Sequence, residues 1–180
     1  MAPVVDPNPD YYRMGYIDKT GKYVIEPKFD DAYSFNDGIA MVVIDEKWGF
    51  IDKKGNFILE PTYALAYNFS EGLAPVKIGD WEHGKWGLID KKGKFVVEPQ
   101  YDDMNYAFIE GMITVEMDEK FGYIDSKGNL VAEPQYALAL DFSEGLAAVE
   151  INGKWGYIDK TGKFVIEPQF DIADDFQRVK

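Results

Sequence analysis

The chain has 180 residues, of which 32 are acidic and 19 are Lys or Arg, so its net charge is −13. Nucleic acids and anionic membranes are bound by clustered basic side chains, and we therefore expect neither as a partner. The chain has no cysteine, which excludes disulfides and thiolate metal sites. We find no apolar run long enough for membrane insertion and no signal peptide in residues 1–10. The compartment is left open, with a cytoplasmic location slightly favoured.

Taken in chain order, the predicted elements form one repeating unit that occurs five times. A Gly-aromatic-Ile-Asp core or a close variant recurs about every 35 residues, which is typical of tandem supersecondary units. The cores begin at Gly15, Gly49, Gly87, Gly122 and Gly156. We place the units approximately at 1–37, 38–71, 72–110, 111–144 and 145–180. All five belong to a single repeat domain.

Each unit reads as a three-stranded antiparallel meander. In the fifth unit, the runs 145–151, 155–159 and 163–167 are rich in β-branched and aromatic residues and are separated by two short turns. Asp159 can accept a hydrogen bond from the turn backbone, and Gly162 supplies the positive φ that a bulged turn needs. Pro168 cannot donate to a ladder, so it ends the pairing of the third strand or marks an edge of the sheet.

Strand alternation assigns the two faces of the central strand. The isoleucine present in every copy is expected in the core, at Ile17, Ile51, Ile89, Ile124 and Ile158. A glycine on the same face indicates that another group approaches the strand closely. We expect that group to be an aromatic ring of the next unit.

The fold class that follows is all-β, with five tandem meanders arranged as a propeller-like ring. A ring leaves only short and protected strand edges. The alternative is an open β-solenoid array, which would need polar caps at its ends.

Several segments of the second and third units resemble the bacterial WG-repeat (KWG repeat) family. They are Lys-Trp-Gly-Phe-Ile-Asp at 47–52, Asp-Lys-Lys-Gly at 52–55, Glu-Pro and Tyr at 60–63, and Phe-Ser-Glu-Gly-Leu-Ala-Pro-Val at 69–76. The similarity extends over essentially the whole chain. Met14 and Phe121 replace the family's Trp, and the last copy lacks the Ser-Glu-Gly-Leu-Ala return. The resemblance implies an all-β repeat scaffold, associated mostly with binding or accessory roles. It does not imply an activity, so no catalytic residues are carried over from the family.

The residues offer no catalytic constellation. His83 is the single histidine and there is no Cys, so neither a nucleophilic triad nor a multi-His zinc site can be built within one chain. The glycines do not form a phosphate-binding loop. We therefore predict no enzyme activity, no cofactor and no metal. Equivalent carboxylates on the rim of a closed ring could hold a hard cation, and that alternative is kept open.

Function is sought where the copies differ, because a residue present in all five is explained by the fold. The candidate binding residues are Trp81, Glu82 and His83 in an extended loop, Met104, Asn105 and Tyr106 in the third connection, and Met117. Aromatic and Met side chains on loops favour binding surfaces, although repeat drift gives the same pattern. We predict a non-catalytic protein–protein interaction scaffold. The alternative is a glycan or small-ligand binding module with one site per repeat.

Overall fold

The computed structural model describes residues 1–7 and 12–176, and these form an all-β chain. The strands are β1 Ala2–Val5, β2 Met14–Ile17, β3 Tyr23–Phe29, β4 Asp31–Ala32, β5 Ile39–Ile44, β6 Lys47–Asp52, β7 Phe57–Tyr63, β8 Leu65–Ala66, β9 Leu73–Ile78, β10 Lys85–Asp90, β11 Phe95–Tyr101, β12 Asp103–Met104, β13 Met112–Met117, β14 Lys120–Asp125, β15 Leu130–Tyr136, β16 Leu138–Ala139, β17 Leu146–Ile151, β18 Lys154–Asp159 and β19 Phe164–Phe170. Within this part of the chain, no helix is long and apolar enough to cross a membrane.

The strands form five antiparallel sheets, one for each predicted repeat. The first sheet has the order β1-β2-β3, and the second has β4-β5-β6-β7. The third, fourth and fifth sheets repeat the order of the second. The predicted three-stranded meander is confirmed, but four of the sheets gain a two-residue edge strand that the sequence did not reveal.

This short strand arises because the chain runs on without a turn. β3 ends at Phe29, and Asp31 and Ala32 then pair with Val43 and Val42 of the following sheet. The connection thus leaves one sheet and becomes the edge of the next. Each of the last four sheets therefore depends on the unit before it for one of its strands.

The Asp-x-x-Gly turns are built as predicted. The Oδ1 atom of Asp52 accepts hydrogen bonds from the backbone N–H groups of Lys54 (2.8 Å) and Asn56 (3.0 Å). The Asn56 side chain donates to Oδ2 of Asp52 (3.0 Å), and these bonds lower the pKa of Asp52. Gly55 adopts φ +81°, which an L side chain rarely does.

The glycine of the central strand is crowded by its own sheet, so our prediction of an aromatic ring from the next unit is wrong. A Cβ on Gly87 would lie 2.6 Å from the carbonyl oxygen of Val97 and 2.9 Å from the backbone nitrogen of Pro99. Both atoms belong to β11, whose register with β10 shifts at this point. The glycine is needed because the bulged third strand folds over it.

A two-residue turn joins the first two long strands of the second sheet, and its sequence is not the best one for its shape. Asp45 and Glu46 have φ of 49° and 61°, and the same turn in the fifth sheet uses Asn152 and Gly153 at 54° and 75°. Asn-Gly is the preferred pair when both central residues have positive φ.

We expect the double substitution Asp45→Asn/Glu46→Gly to raise the free energy of unfolding by about 0.5–1 kcal/mol, because it relieves the strain of left-handed backbone on Glu46. Thermal melts of purified protein would show a rise of about 2–4 °C for a gain of 1 kcal/mol. Lys53→Gly, in a turn position without positive φ, is the control and should lower the melting temperature. Equal effects of the two changes would contradict the explanation.

The core is divided into four clusters, each built from two consecutive sheets. Between the third and fourth sheets, for example, Tyr101 and Val97 pack with Ile113 and Ile124. The predicted core isoleucines are confirmed at Ile51, Ile89, Ile124 and Ile158, all 0–1% exposed. No cluster of the described residues joins the first sheet to the fifth, a packing that fits the open array.

Candidate binding groove

A cavity of about 410 Å³ opens beside the short strand of the fourth sheet. Its wall takes residues from the third, fourth and fifth sheets. They include Tyr67, Asp103, Met104, Asn105, Tyr106, Glu116, Phe121, Leu140 and Asp141. We call this cavity the acidic groove. Its volume is within the range of pockets that hold a small molecule or a large side chain.

At the groove, the fourth sheet lacks an aromatic pair that the second and third sheets have. In the second sheet, the Tyr33 ring stacks on Trp48 at 5.2 Å, and in the third, Tyr67 stacks on Trp86 at 5.0 Å. In the fourth sheet the positions of this pair are occupied by Asn105 and Phe121. Two smaller side chains leave unfilled the space that the stacked rings occupy elsewhere.

The backbone hydrogen bonds after each short strand show that Asn105 occupies the position of Tyr33. Tyr33 donates its backbone N–H to Met41, directly after the short strand, and Asn105 donates in the same way to Thr114. Tyr106 is the next residue and belongs to a connection one residue longer than its counterparts. The two departures from the repeat, a smaller pair and an extra residue, therefore meet at one place.

Aromatic rings form one wall of the acidic groove. Trp86 is buried, Tyr67 lies on it with its ring nearly parallel at 6°, and Tyr106 meets the edge of Tyr67 with ring centroids 6.4 Å apart. Tyr106 is 63% exposed. The series runs from the core to the surface, so the outermost ring is supported from below and free to contact a ligand.

Three carboxylates also line the acidic groove, those of Asp103, Glu116 and Asp141. Burial raises the pKa of Asp141, although the Asn105 side chain donates a hydrogen bond to it at 2.9 Å. Burial and the neighbouring charges of Asp103 and Asp102 also raise the pKa of Glu116. No Lys, Arg or His stands among the described residues that line the groove, so the wall is negative without compensation.

A second cavity of about 450 Å³ adjoins the first and shares Tyr67 and Tyr106 with it. Its other lining residues include Asn36, Asp37 and Glu71 from the connections of the earlier sheets. Tyr106 thus stands between two cavities on the surface formed by successive connections. This surface could receive an extended segment that places side chains on both sides of the Tyr106 ring.

The predicted site residues fall in two separate places. Met104, Asn105 and Tyr106 line the acidic groove, with Met104 buried as part of its floor. Met117 is partly buried, packs against the core cluster that contains Met104, and does not line the groove.

The other predicted residues lie on the loop between β9 and β10. Trp81 is 68% exposed and lines a different cavity, of about 580 Å³, with Trp48 and Asp80. His83 donates its backbone N–H to Asp80 at 2.6 Å, and Glu82 is exposed. The loop is held by its own residues and is not brought to the groove. The binding roles of Trp81, Glu82 and His83 stay predictions.

Sequence reasoning missed Tyr67, Glu116 and Asp141, which complete the groove from neighbouring strands and sheets. One signal was present for Asp141. It stands where the earlier connections have Ser34 and Asn68, one residue before the packed Phe. Tyr67 and Glu116 gave no such signal, because Tyr33 and Glu150 occupy the same positions in other copies.

Comparison with known proteins identifies the repeat and supports the fold. The family model described as WG containing repeat matches five times, at residues 14–48, 48–80, 86–121, 121–155 and 155–178. A solved structure titled "Crystal structure of the eukaryotic initiation factor" superposes with a TM-score of 0.52 at 12% sequence identity. The match covers 92% of this chain and 51% of the other, so this chain spans about half of that structure's length. No curated protein matches the chain.

Proposed function

The chain belongs to the WG containing repeat family, and from this premise we propose that it is a non-catalytic scaffold that binds another protein through the acidic groove. The ligand we propose is a basic segment of the partner. A Lys or Arg side chain of that segment enters between the carboxylates and the aromatic wall. The rest of the segment lies across the surface of the connections.

The single observation that supports this most strongly is the composition of the groove wall. Asp103, Glu116 and Asp141 provide acceptors for charge-assisted hydrogen bonds, which are about twice as strong as neutral ones. The Tyr106 ring offers a face for a cation, an interaction worth about 0.5–2 kcal/mol. The raised pKa of Asp141 and of Glu116 supports the same ligand, because a bound cation would offset the cost of their burial and of repulsion from neighbouring carboxylates.

The charge of the whole chain favours the same partner. A net charge of −13 attracts a basic protein over a distance and raises the rate of encounter. The groove then supplies the specific contacts. Binding through it should weaken at low pH, as Asp141 and Glu116 take up protons at their raised pKa values.

The alternative of one glycan site per repeat is less well supported by the packing. The aromatic residues repeated in the central strands, such as Tyr16, Phe50 and Tyr123, are 0–1% exposed. They cannot stack on a sugar without opening the core. The acidic groove, in contrast, arises from departures of one unit from the repeat, which favours one site per chain.

Selection from a random peptide library tests the proposal without knowledge of the partner. Peptides are selected on the wild-type protein and their affinities compared on two variants. The groove variant carries Asp103→Asn, Glu116→Gln and Asp141→Asn. The control variant carries Glu60→Gln, Glu98→Gln and Glu133→Gln, which makes the same change in net charge at exposed residues outside all three cavities.

We expect the selected peptides to be enriched in Lys and Arg. They should lose at least about tenfold in affinity on the groove variant and little on the control, since one charged contact contributes about 1.5–3 kcal/mol. Equal losses on both variants would mean unspecific attraction to an acidic protein and would overturn the site. Selection of peptides without basic residues would overturn the ligand class.

A further inference from the structure

The two end sheets of the array leave uncovered the surfaces that every inner sheet buries. Phe170 of the fifth sheet is 44% exposed, whereas its counterparts Phe29, Tyr63, Tyr101 and Tyr136 are 0–7% exposed. At the other end, Ile17 is only partly buried, while the same isoleucine in the other four sheets is 0–1% exposed. The fifth sheet thus presents one half of an inter-sheet interface, and the first sheet presents the complementary half.

The segment after the fifth sheet is already held in the conformation of the inner connections. The Tyr157 hydroxyl donates to the carbonyl of Asp174 at 3.0 Å, just as the Tyr16 hydroxyl donates to the carbonyl of Tyr33 at 2.7 Å. Phe176 packs on Tyr157 with centroids 4.7 Å apart, and Phe35 packs on Tyr16 at 4.8 Å.

By this alignment Ile172 and Ala173 occupy the positions of the inner two-residue strands. In the inner repeats such a pair is a strand of the next sheet, but Ile172 and Ala173 belong to none of the described sheets. Ile172 is 86% exposed. Within the described residues, the fifth unit therefore displays a segment in the position of an edge strand that pairs with no sheet.

The first sheet lacks the two-residue strand that the other four sheets have. Its strand β1 is an edge strand, whereas the equivalent strands of the other four sheets each carry a two-residue neighbour. Val4 pairs with Gly15 as Val42 pairs with Gly49, so Val4 and Val5 correspond to the residues that receive Ala32 and Asp31 in the second sheet.

We propose that a second copy of this chain covers the open face of the fifth sheet with its own first sheet. Ile172 and Ala173 of one copy pair with Val5 and Val4 of the other. Phe170 is then buried against the other copy's Ile17. The new contact continues, between two molecules, the interface that already recurs four times within one.

The hydrogen bonds available to this pairing are those of the inner interfaces. Asp30 donates its backbone N–H to Val43, and Tyr33 donates to Met41. The intermolecular counterparts run from Asp171 to Val5 and from Asp174 to Pro3. Proline is suited to that last position because only its carbonyl is used, as at Pro75, which accepts from Tyr67. The contact is head-to-tail, so it leads to closed rings or to chains of molecules.

Sedimentation velocity over a range of concentrations tests the proposal, in physiological salt that screens the repulsion between two acidic chains. The donor face is disrupted by Phe170→Asp and the acceptor face by Val4→Asp. Trp81→Asp is the control, because it removes a large exposed apolar side chain from a loop of the third sheet, away from both end sheets. Circular dichroism and thermal melts establish that each variant is folded.

We expect the wild type and Trp81→Asp to reach at least twice the mass of one chain as concentration rises. Each face variant alone should remain monomeric. An equimolar mixture of Phe170→Asp and Val4→Asp should form a dimer that grows no further, because one intact face of each kind remains. A face variant that failed to fold could not give this dimer.

A wild type that stays monomeric at every concentration would overturn the proposal. So would association that either face variant retains alone, since the contact would then involve other surfaces. A mixture that stays monomeric, although both variants are folded and the wild type associates, would overturn the head-to-tail geometry.

Discussion

Replacing Gly87 with alanine is expected to lower the free energy of unfolding by about 3 kcal/mol or more, the upper range for overpacking a close-fitting site. The added Cβ would lie 2.6 Å from the carbonyl oxygen of Val97 and 2.9 Å from the nitrogen of Pro99. Both are backbone atoms, so no side-chain rotation can relieve the clash. β11 would have to move, and it carries Tyr101 and Val97 into the core between the third and fourth sheets.

Urea unfolding followed by circular dichroism would measure the effect, with Gly72→Ala as the matched control. Gly72 has φ +91° and no neighbouring atom within 4 Å of an added Cβ, so its substitution strains only the backbone, at a cost of about 1–2 kcal/mol. A side chain at Gly87 is opposed by lack of space, whereas a side chain at Gly72 is opposed by the positive φ of its backbone. A loss for Gly87→Ala no greater than that for Gly72→Ala would contradict the close approach of β11.

The sequence was sufficient to predict the parts of the fold that local chemistry determines. Asp at the first turn position and Gly at the fourth predicted the hairpin turns, because each acts on backbone only a few residues away in the chain. The isoleucine of the central strand was assigned to the core by alternation and by its presence in every copy. Alternation gives its face locally, but its burial also depends on a neighbouring sheet, since Ile17 is only partly buried.

The features that escaped prediction depend on contacts between elements. Asp31 and Ala32 form a strand of two residues, too short to show an alternating pattern, and their partners lie in the next sheet. Gly87 was recognised as a point of close approach, but the group that approaches it depends on the register between β10 and β11. That register contains a bulge, which is set by the packing of the two strands.

The acidic groove was predicted in part for the same reason. Asn105, Tyr106 and Phe121 could be found because they depart from the repeat along the chain. Glu116 and Tyr67 contribute only because the fold brings their strands to the same cavity. The extended loop at Trp81 also departs from the repeat, yet it lies beside a different cavity. Departure from a repeat therefore indicates candidate positions, and the packing of sheets decides which of them share a site.

The smaller side-chain pair beside the groove permits a test that separates binding from stability. The double substitution Asn105→Tyr/Phe121→Trp restores the stacked pair of the second and third sheets and fills the space between the carboxylates and Tyr106. We expect the affinity for a Lys-containing peptide selected on the wild type to fall by at least about tenfold, a loss of 1.4 kcal/mol or more.

Stability should be retained or should rise by about 0.5–2 kcal/mol, as is usual when a cavity is filled. The new Tyr would also find a partner. Tyr33 donates its hydroxyl to Asp31 at 3.0 Å, and Asp103 stands in the position of Asp31. The substitution would remove the Asn105 side chain, whose hydrogen bond now lowers the pKa of Asp141. The pKa of Asp141 should therefore rise further.

Fluorescence anisotropy of the labelled peptide and thermal melts of the same preparations would measure both quantities. The double substitution changes no formal charge, so unspecific attraction between a basic peptide and an acidic protein is the same in both proteins. Weaker binding by a variant that is as stable as the wild type would therefore locate the peptide in the groove. Unchanged affinity in a stable variant would show that the peptide binds elsewhere, and the groove would lose its role.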